Sequence, residues 1–503
     1  MFLRFFIAFL SIPFLLFGCS KQNLTPPDTL VVAIDAEPSN LDPRFALDAY
    51  GQRIDTLLYD ALVMIDNKLQ IVPHLALNWK TLNDTTYEFT LRPHLTFPDG
   101  SPITAQTFVR VLGQIQDPNF GSPLMSSFKN VEKAIALNPV TLEIHLKTPQ
   151  ASFLTDLTLL KALQEAPKKS NENSKELPDG SGPYQFVKKE GNTIVLKRNP
   201  NHFTFHPKLE KIIFKIIKDD NTRVLKLKKG EIDLVQNALN YDSLAKLSQD
   251  KNASLSFIKS PGISYAYLGF NLKDPVLKNK KVRQAIAYAI HREEIIEHLL
   301  ENMAIPAASI LSSQNGYYEP GVKSYEYDPE KAKKLLKESG VSLPITLVFK
   351  TSTDIQAVNI ARLISDHLKK VGIMVELRTH EWGTFFNDIQ TGNFQIFSSR
   401  WVGVTDPDIF YDVFHSANVP PGKNRVFYTN SRIDTLTAKG RVTLDLQKRK
   451  KIYKEVQKIV AEEVPYVSLW HFNNTAVYSS RIKGFYFHPQ ANFLPFLDLS
   501  KEF

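Results

Sequence analysis

One cysteine in 503 residues leaves no second thiol for a disulfide, so the fold owes nothing to covalent staples. Beyond Cys19 no apolar run approaches the ~20 residues that a membrane-spanning helix needs. The chain also lacks the phosphate-cradling GxxxxGK[ST], the zinc-binding HExxH and the nucleophile elbow GxSxG. At Gly180-Ser181-Gly182-Pro183 a proline stands where the elbow would not accept one. His291 and His298 share a stretch with Glu293, Glu294 and Glu297, which suits a solvated helix face better than zinc. His202 and His206 are followed by Pro207 and interleaved with Phe203 and Phe205, so surface imidazoles are expected there and no metal is assigned. Asp219 and Asp220 are adjacent, and adjacent side chains diverge, so paired acid–base work is not expected. Lys and Arg outnumber Asp and Glu, 61 to 52, for a net charge of +9. The basic residues are scattered, and the densest run, residues 448–451, reads as a solvated helix face. With no basic stripe interleaved with aromatics, nucleic acid is not an expected partner. No catalytic residue and no cofactor are assigned: a large chain without nucleophile or metal set is read as a binder, not an enzyme.

What is present is a long, loop-rich α/β composition. Apolar residues make up 43% of the chain, with 33 Phe and 30 Pro, enough for a substantial core in two or three domains. The start is distinctive. Arg4 precedes an apolar run over residues 5–17, interrupted by Pro13 and shorter than the ~20 residues of a spanning helix. After Cys19 the composition turns polar at once. Charged start, short apolar core and small residue before a break describe an export signal over residues 1–18. Its end, Leu16-Phe17-Gly18-Cys19, resembles the bacterial lipobox, so Cys19 is expected to carry lipid and to be the mature N-terminus. The alternative is an anchor helix with an incidental thiol.

Periodicity predicts strands at residues 28–36, 86–91, 140–146, 193–197 and 211–217, the third with Val140, Leu142, Ile144 and Leu146 on one face. Residues 167–182 are polar and turn-rich, a loop or a domain crossing. Helical stripes run through Val282, Ala285, Ile286, Ala289 and Ile290, and through Ala357, Ile360, Ala361, Ile364, Leu368 and Val371, with Gly372 as C-cap. The second helix lies between strands at 345–349 and 374–377, a βαβ unit with parallel pairing. Ile452, Val456, Ile459 and Val460 mark a further helix, ended by Pro465.

Short motifs in one order carry a resemblance. Glu37-Pro38-Ser39-Asn40-Leu41-Asp42-Pro43, Tyr59-Asp60-Ala61-Leu62, Pro73-His74-Leu75-Ala76 with Trp79, and residues 87–109 (YEFTLRPHLTFPDGSPITAQTFV) follow one another. So do Asp117-Pro118-Asn119, Gly182-Pro183-Tyr184, Arg198-Asn199-Pro200-Asn201, Gly230-Glu231-Ile232-Asp233, Phe270-Asn271 and Val282-Arg283-Gln284-Ala285. Together they resemble the peptide-binding solute receptors of ABC importers, the oligopeptide/dipeptide/nickel group.

The resemblance implies an α/β fold of the two-lobed type II periplasmic-binding kind, with an extra domain inserted in the first lobe. By that pattern lobe 1 takes residues 28–48, 180–268 and 473–503, the insertion residues 49–179 and lobe 2 residues 269–472. Crossings fall near residues 267–271 and 470–474. It implies a ligand held in the cleft, a hinge closure read by a membrane permease, an exported lipid-anchored chain and a monomer. Peptides are the implied ligand, with nickel chelates, haem or glycans as alternatives. Residues 394–411 resemble the family's ligand strand, with Trp401, Asp406, Pro407 and Phe410 matching. In that register the backbones of Arg400 and Val402 face the ligand, Trp382 stands beside it, and Tyr265 and Tyr267 lead to the hinge. The aspartate that commonly meets a peptide's α-amino group three residues after the tryptophan is replaced by Val404. Either Asp406 takes over as amine clamp, or no carboxylate meets the amine.

Overall fold

The computed structural model describes residues 24–164, 177–250 and 254–502; the export signal expected over residues 1–18, Cys19 and residues 167–176 of the polar stretch lie outside them. The strands used below are β1 (Thr29–Ile34), β2 (Ala76–Asn83), β3 (Thr86–Leu91), β4 (Val131–Asn138), β5 (Thr141–Leu146), β6 (Tyr184–Glu190), β7 (Thr193–Arg198) and β8 (Lys211–Ile216). They continue with β9 (Leu234–Gln236), β10 (Leu255–Phe270), β11 (Ile345–Ser352), β12 (Ile373–His380), β13 (Ile396–Trp401) and β14 (Tyr466–Ser479). The helices used are α1 (Ala49–Leu58), α2 (Ile355–Lys369), α3 (Trp382–Thr391), α4 (Ser431–Val442) and α5 (Leu446–Glu463).

An eleven-stranded sheet runs in the order β12-β11-β13-β10-β14-β9-β1-β8-β7-β6, with Ala304–Pro306 paired beside β14. Two parallel blocks, β11 with β12 and β13, and β1 with β8 and β9, flank the long antiparallel pair of β10 and β14. The first half of β10 pairs with the part of β14 that joins β9, and its second half pairs with β13. The register between β10 and β14 slips between Pro261 and Ser264. A bulge of this kind bends the strand, and the proline lacks a ladder N–H.

The βαβ unit forms as its pattern predicts. Ile360, Ala361, Ile364 and Leu368 of α2 are buried in one core with Leu347, Phe349 and Ile373 of β11 and β12. Each Ile, Leu or Phe among them contributes on the order of 1.5–3 kcal/mol of burial. Asp354 accepts from the Ala357 N–H at the helix start; the helix is capped at Lys370, and Gly372, expected as the cap, stands in the turn beyond it at φ 91°. In β5, Leu142, Ile144 and Leu146 are buried, whereas Val140 precedes the strand and is exposed.

A second, antiparallel sheet of four strands has the order β2-β3-β5-β4. Its buried Phe89, Leu142 and Ile144 belong to the same core as Leu30 and Val32 of β1 and Phe214 of β8. The β11–β13 half packs around different cores. Among the described residues no helix is long and apolar enough to cross a membrane.

Candidate functional site

In each parallel block the strands end on one edge, where open α/β sheets hold ligands. On the β11–β13 block that edge leads into Asp354, Trp382 and Val402. On the other block it leads into Asp35 and Asn237. Next to it lies a cavity of about 620 Å³, within the ~300–1,000 Å³ usual for small-molecule sites. Its walls are α1, residues 59–65, residues 158–161, residues 490–494 and the turn Val402-Gly403 after β13.

The α1 wall follows from helical spacing. Asp48 caps the helix, accepting from the N–H groups of Tyr50 and Gly51 at 3.1 and 2.9 Å. Ala49, Gln52, Arg53 and Thr56 then share the face that lines the cavity, while Ile54, Leu57 and Leu58 enter the core. Asp55 lies between the two faces. It lines the cavity yet is 4% exposed, and its Oδ1 has no hydrogen-bond partner. Burial pushes its carboxyl well above the usual range, opposed by the Lys161 ammonium and reinforced by Asp42 and Asp48. Lys161 also lines the cavity, and burial pulls its ammonium down against the charges of Asp55 and Asp60. Arg53 lies over the ring of Tyr50, whose hydroxyl donates to Asp35 at 2.6 Å.

Asp60 lines the same cavity and is opposite in kind. His74 Nε2 lies 2.8 Å from its Oδ1, the Ser181 hydroxyl donates to Oδ2 at 2.8 Å, and His202 Nε2 approaches within 3.3 Å. Burial raises the carboxyl, but the two imidazoles outweigh it and hold it far below its usual range. The chain that brings Ser181 runs hard against the end of α1. A Cβ on Gly180 would meet the Leu58 carbonyl oxygen at 2.1 Å, and one on Gly182 would meet the Leu58 backbone at 2.4 Å. Thus the Gly-Ser-Gly stretch is a close-packing device. His202 is not the surface imidazole expected from sequence. It is buried beside Phe203 and Phe205, which flank it and His74.

Asp60, His74 and His202 lie close enough to hold a metal ion. The hydrogen bonds of His202 argue for a different assignment. Its Nδ1 accepts from the N–H groups of Phe205 and Thr204 at 2.8 and 3.2 Å. In a neutral imidazole the proton is then on Nε2, where it donates to Asp60 and blocks the lone pair a metal would need. Asp219, for its part, caps the helix Asp220–Lys228.

The residues expected on the β13 side are distributed as follows. Val402 is 62% exposed and reaches the cavity. Arg400 is exposed on β13, which pairs with β11 only at Ile396 and Phe397, so the edge of β13 beyond them is unpaired on that side among the described residues. Trp401 is half-buried, its ring parallel to that of Tyr267 at 6.2 Å, with Arg425 over its face at 5.0 Å. Trp382 is exposed and stacks on Phe386, which Arg425 also covers. Tyr265 and Tyr267 are fully buried, and the Tyr265 hydroxyl meets the Ser468 hydroxyl at 2.7 Å. Neither ring reaches the cavity. Asp406 is gripped by both Nη atoms of Arg449 at 2.7 and 2.9 Å, so its charge is already matched within the fold. Val404 is buried among apolar neighbours.

Sequence reading marked Asp60 and His74 only as landmarks and passed over Asp55, Arg53 and Lys161. The available signal for Asp55 was a carboxylate set among Ile54, Leu57 and Leu58.

Residues 70–420 match the model of the bacterial extracellular solute-binding proteins, family 5. The oligopeptide-binding protein AppA of Bacillus subtilis is 27% identical over 92% of this chain and 89% of its own length. The glutathione-binding protein GsiB of Salmonella typhi is 27% identical over 92% and 93%. Among solved structures, the ABC transporter substrate-binding protein CtaP of Listeria monocytogenes superposes with a TM-score of 0.85 at 28% identity, covering 94% of this chain and 99% of that one. AppA in complex with a nonapeptide gives 0.77 at 26% identity, covering 94% and 99%.

Proposed function

This chain belongs to the bacterial extracellular solute-binding proteins, family 5, whose members are transport proteins and not enzymes, and we propose that it captures peptides for an ABC importer. The observation that carries the peptide reading is the edge of β13 beside the cavity, unpaired beyond Phe397 on its β11 side among the described residues. An extended peptide adds to such an edge through backbone hydrogen bonds, which are indifferent to side chains. The backbones of Arg400 and Val402 are the proposed partners, with Trp401 and Trp382 as apolar walls. The names of the relatives, oligopeptide-binding and glutathione-binding, support peptides over nickel chelates, haem or glycans.

Closure is proposed as rotation of the β11–β13 half against the half holding β1, β8 and the four-stranded sheet. The shared core of that sheet with β1 and β8 supports their moving together, as insertion and lobe 1. The register slip at Pro261–Ser264 is the favoured bending point, because residues 265–270 are paired on both sides. The permease in the membrane would read the closed form of a monomer.

Mass spectrometry of small molecules released from the purified protein tests the ligand class. Peptides are the expected release, and calorimetry should then show peptide binding; release of glycans or metal chelates with no peptide binding would overturn the reading. Lipid anchoring rests on Cys19. Cys19→Ser should abolish membrane partition, and unchanged partition with an unchanged N-terminal mass would exclude the anchor.

A further inference from the structure

Buried charges in this protein are generally matched. Asp233 and Lys501 meet at 2.7 Å with both side chains wholly buried, Asp406 is held by Arg449, and Asp60 has three partners. The cavity wall departs from this pattern. The side chains of Asp55, Lys161 and Arg53 all line it, and none makes a hydrogen bond or ion pair with a described residue. Of the three only Asp55 is buried, with Oδ1 unpartnered, while Lys161 and Arg53 are part-exposed; an unmatched buried carboxylate is costly, so a partner arriving with the ligand is the natural way to satisfy it. One carboxylate beside two cations is complementary to an ammonium beside a carboxylate. The turn after β13 offers no competing clamp: only Val402 and Gly403 of it line the cavity, Val404 is apolar and buried, and Asp406 is held by Arg449.

Resting on the peptide reading above, we propose that this cavity is a subsite for an α-amino-carboxylate head, an ammonium and a carboxylate on one carbon. Asp55 receives the ammonium, Lys161 receives the carboxylate, and Arg53 at the Tyr50 side of the cavity adds to the positive field. Asp42 and Asp48 add negative charge near Asp55, and Asp60, on the same wall as Lys161, has its own charge already matched. The head distinguishes ligand classes sharply. An ordinary α-linked peptide carries its free amine and free carboxylate at opposite ends of the chain. A peptide joined through a side-chain carboxyl, such as a γ-glutamyl peptide, keeps both on one carbon. Glutathione, in the name of one relative, is of that class.

The test is calorimetric titration of the whole protein, stripped of bound ligand, with four tripeptides. They are γ-Glu-Ala-Gly, its N-acetyl form, its glutamyl α-carboxamide and the α-linked Glu-Ala-Gly. Acetylation, amidation and α-linkage should each weaken binding at least tenfold. In Asp55→Asn the effect of acetylation should vanish while that of amidation persists; in Lys161→Gln the reverse should hold. If a variant fails to fold, the four peptides against the native protein decide the matter alone. Equal binding of γ- and α-linked peptides, or an acetylation effect that survives Asp55→Asn, overturns the subsite. If α-linked peptides bind and γ-linked ones do not, the subsite falls and the peptide reading stands. If no peptide of either linkage binds, both fall.

Discussion

Asp55 and Asp60 belong to one short stretch of chain, both are buried, and both line one cavity, yet their carboxyls are driven in opposite directions. Burial is the first cause in each case and raises both. What separates them is supply of donors. Asp60 receives His74, His202 and Ser181, brought together from three segments, whereas Asp55 faces Lys161 across a gap that no hydrogen bond closes. The difference teaches how to tell a structural buried charge from one kept for a ligand: the first is fully matched by its own fold, and the second is not. Sites of the second kind cost stability in the empty protein.

The largest effect should come from removing the matched group. Asp60→Ala leaves His74, His202 and Ser181 without their common acceptor and should destabilise by about 3–5 kcal/mol in denaturant titrations. The pH sense is fixed by direction. The folded carboxyl is depressed, so its contribution is full above the unfolded value near ~3.9 and is lost as pH falls below it. The native protein should therefore lose stability on acidification below about pH 4, and Asp60→Asn should lose less there.

Asp55→Asn should do the reverse. Its folded carboxyl is raised, so the unfolded chain ionises first and the group subtracts stability once pH exceeds ~3.9. Asparagine there should raise stability without ligand by about 1–2 kcal/mol at neutral pH, the usual yield of relaxing a functional site. The gain should disappear below about pH 4, where both forms are neutral. A destabilised Asp55→Asn at neutral pH would erase the contrast with Asp60.

Much of the frame was legible in the sequence. Alternation in residues 86–91 and 193–197 and the stripe from Ile360 to Leu368 are local signals, and local signals survive folding. So is the order of short motifs that pointed to family 5. The long pair β10 and β14 was not legible, because a strand buried on both faces and bent at Pro261 loses simple alternation. The cavity wall was illegible for a different reason. Lys161 joins Arg53 and Asp55 on one cavity wall only through the tertiary fold, and no spacing rule links it to α1. His202 was misjudged as a surface group because its partner, Asp60, lies far away in sequence, and buried imidazoles are recognised by their partners.

A third aspartate sharpens the contrast by lying between the two extremes, and it should give the smallest effect. Asp156 is only partly satisfied: Gln150 Nε2 donates to it at 2.6 Å, while burial first, then the charges of Asp406 and Asp408, raise it to about 8. It stands where the segment after the four-stranded sheet meets the other half of the molecule, with the Ala151 N–H donating to the Arg441 carbonyl at 2.7 Å. Facing it are Asp406, gripped by Arg449, and Asp408, whose carboxyl lies 3.0 Å from Arg441 and is itself raised to about 6 by burial. Three carboxyls thus share two guanidiniums, and the odd one keeps its proton. Because the folded value is raised, stability should fall as pH rises from about 4, the unfolded value, toward 8 and then level off. Asp156→Asn should flatten that window, by about 1 kcal/mol or less given the partial exposure and the nearby arginines. If this contact forms only when the halves close, the same substitution should also flatten the pH dependence of ligand affinity. A flattened stability profile with an unchanged affinity profile would mean that the contact persists in the open protein, and that Asp156 belongs with Asp60 as a structural charge.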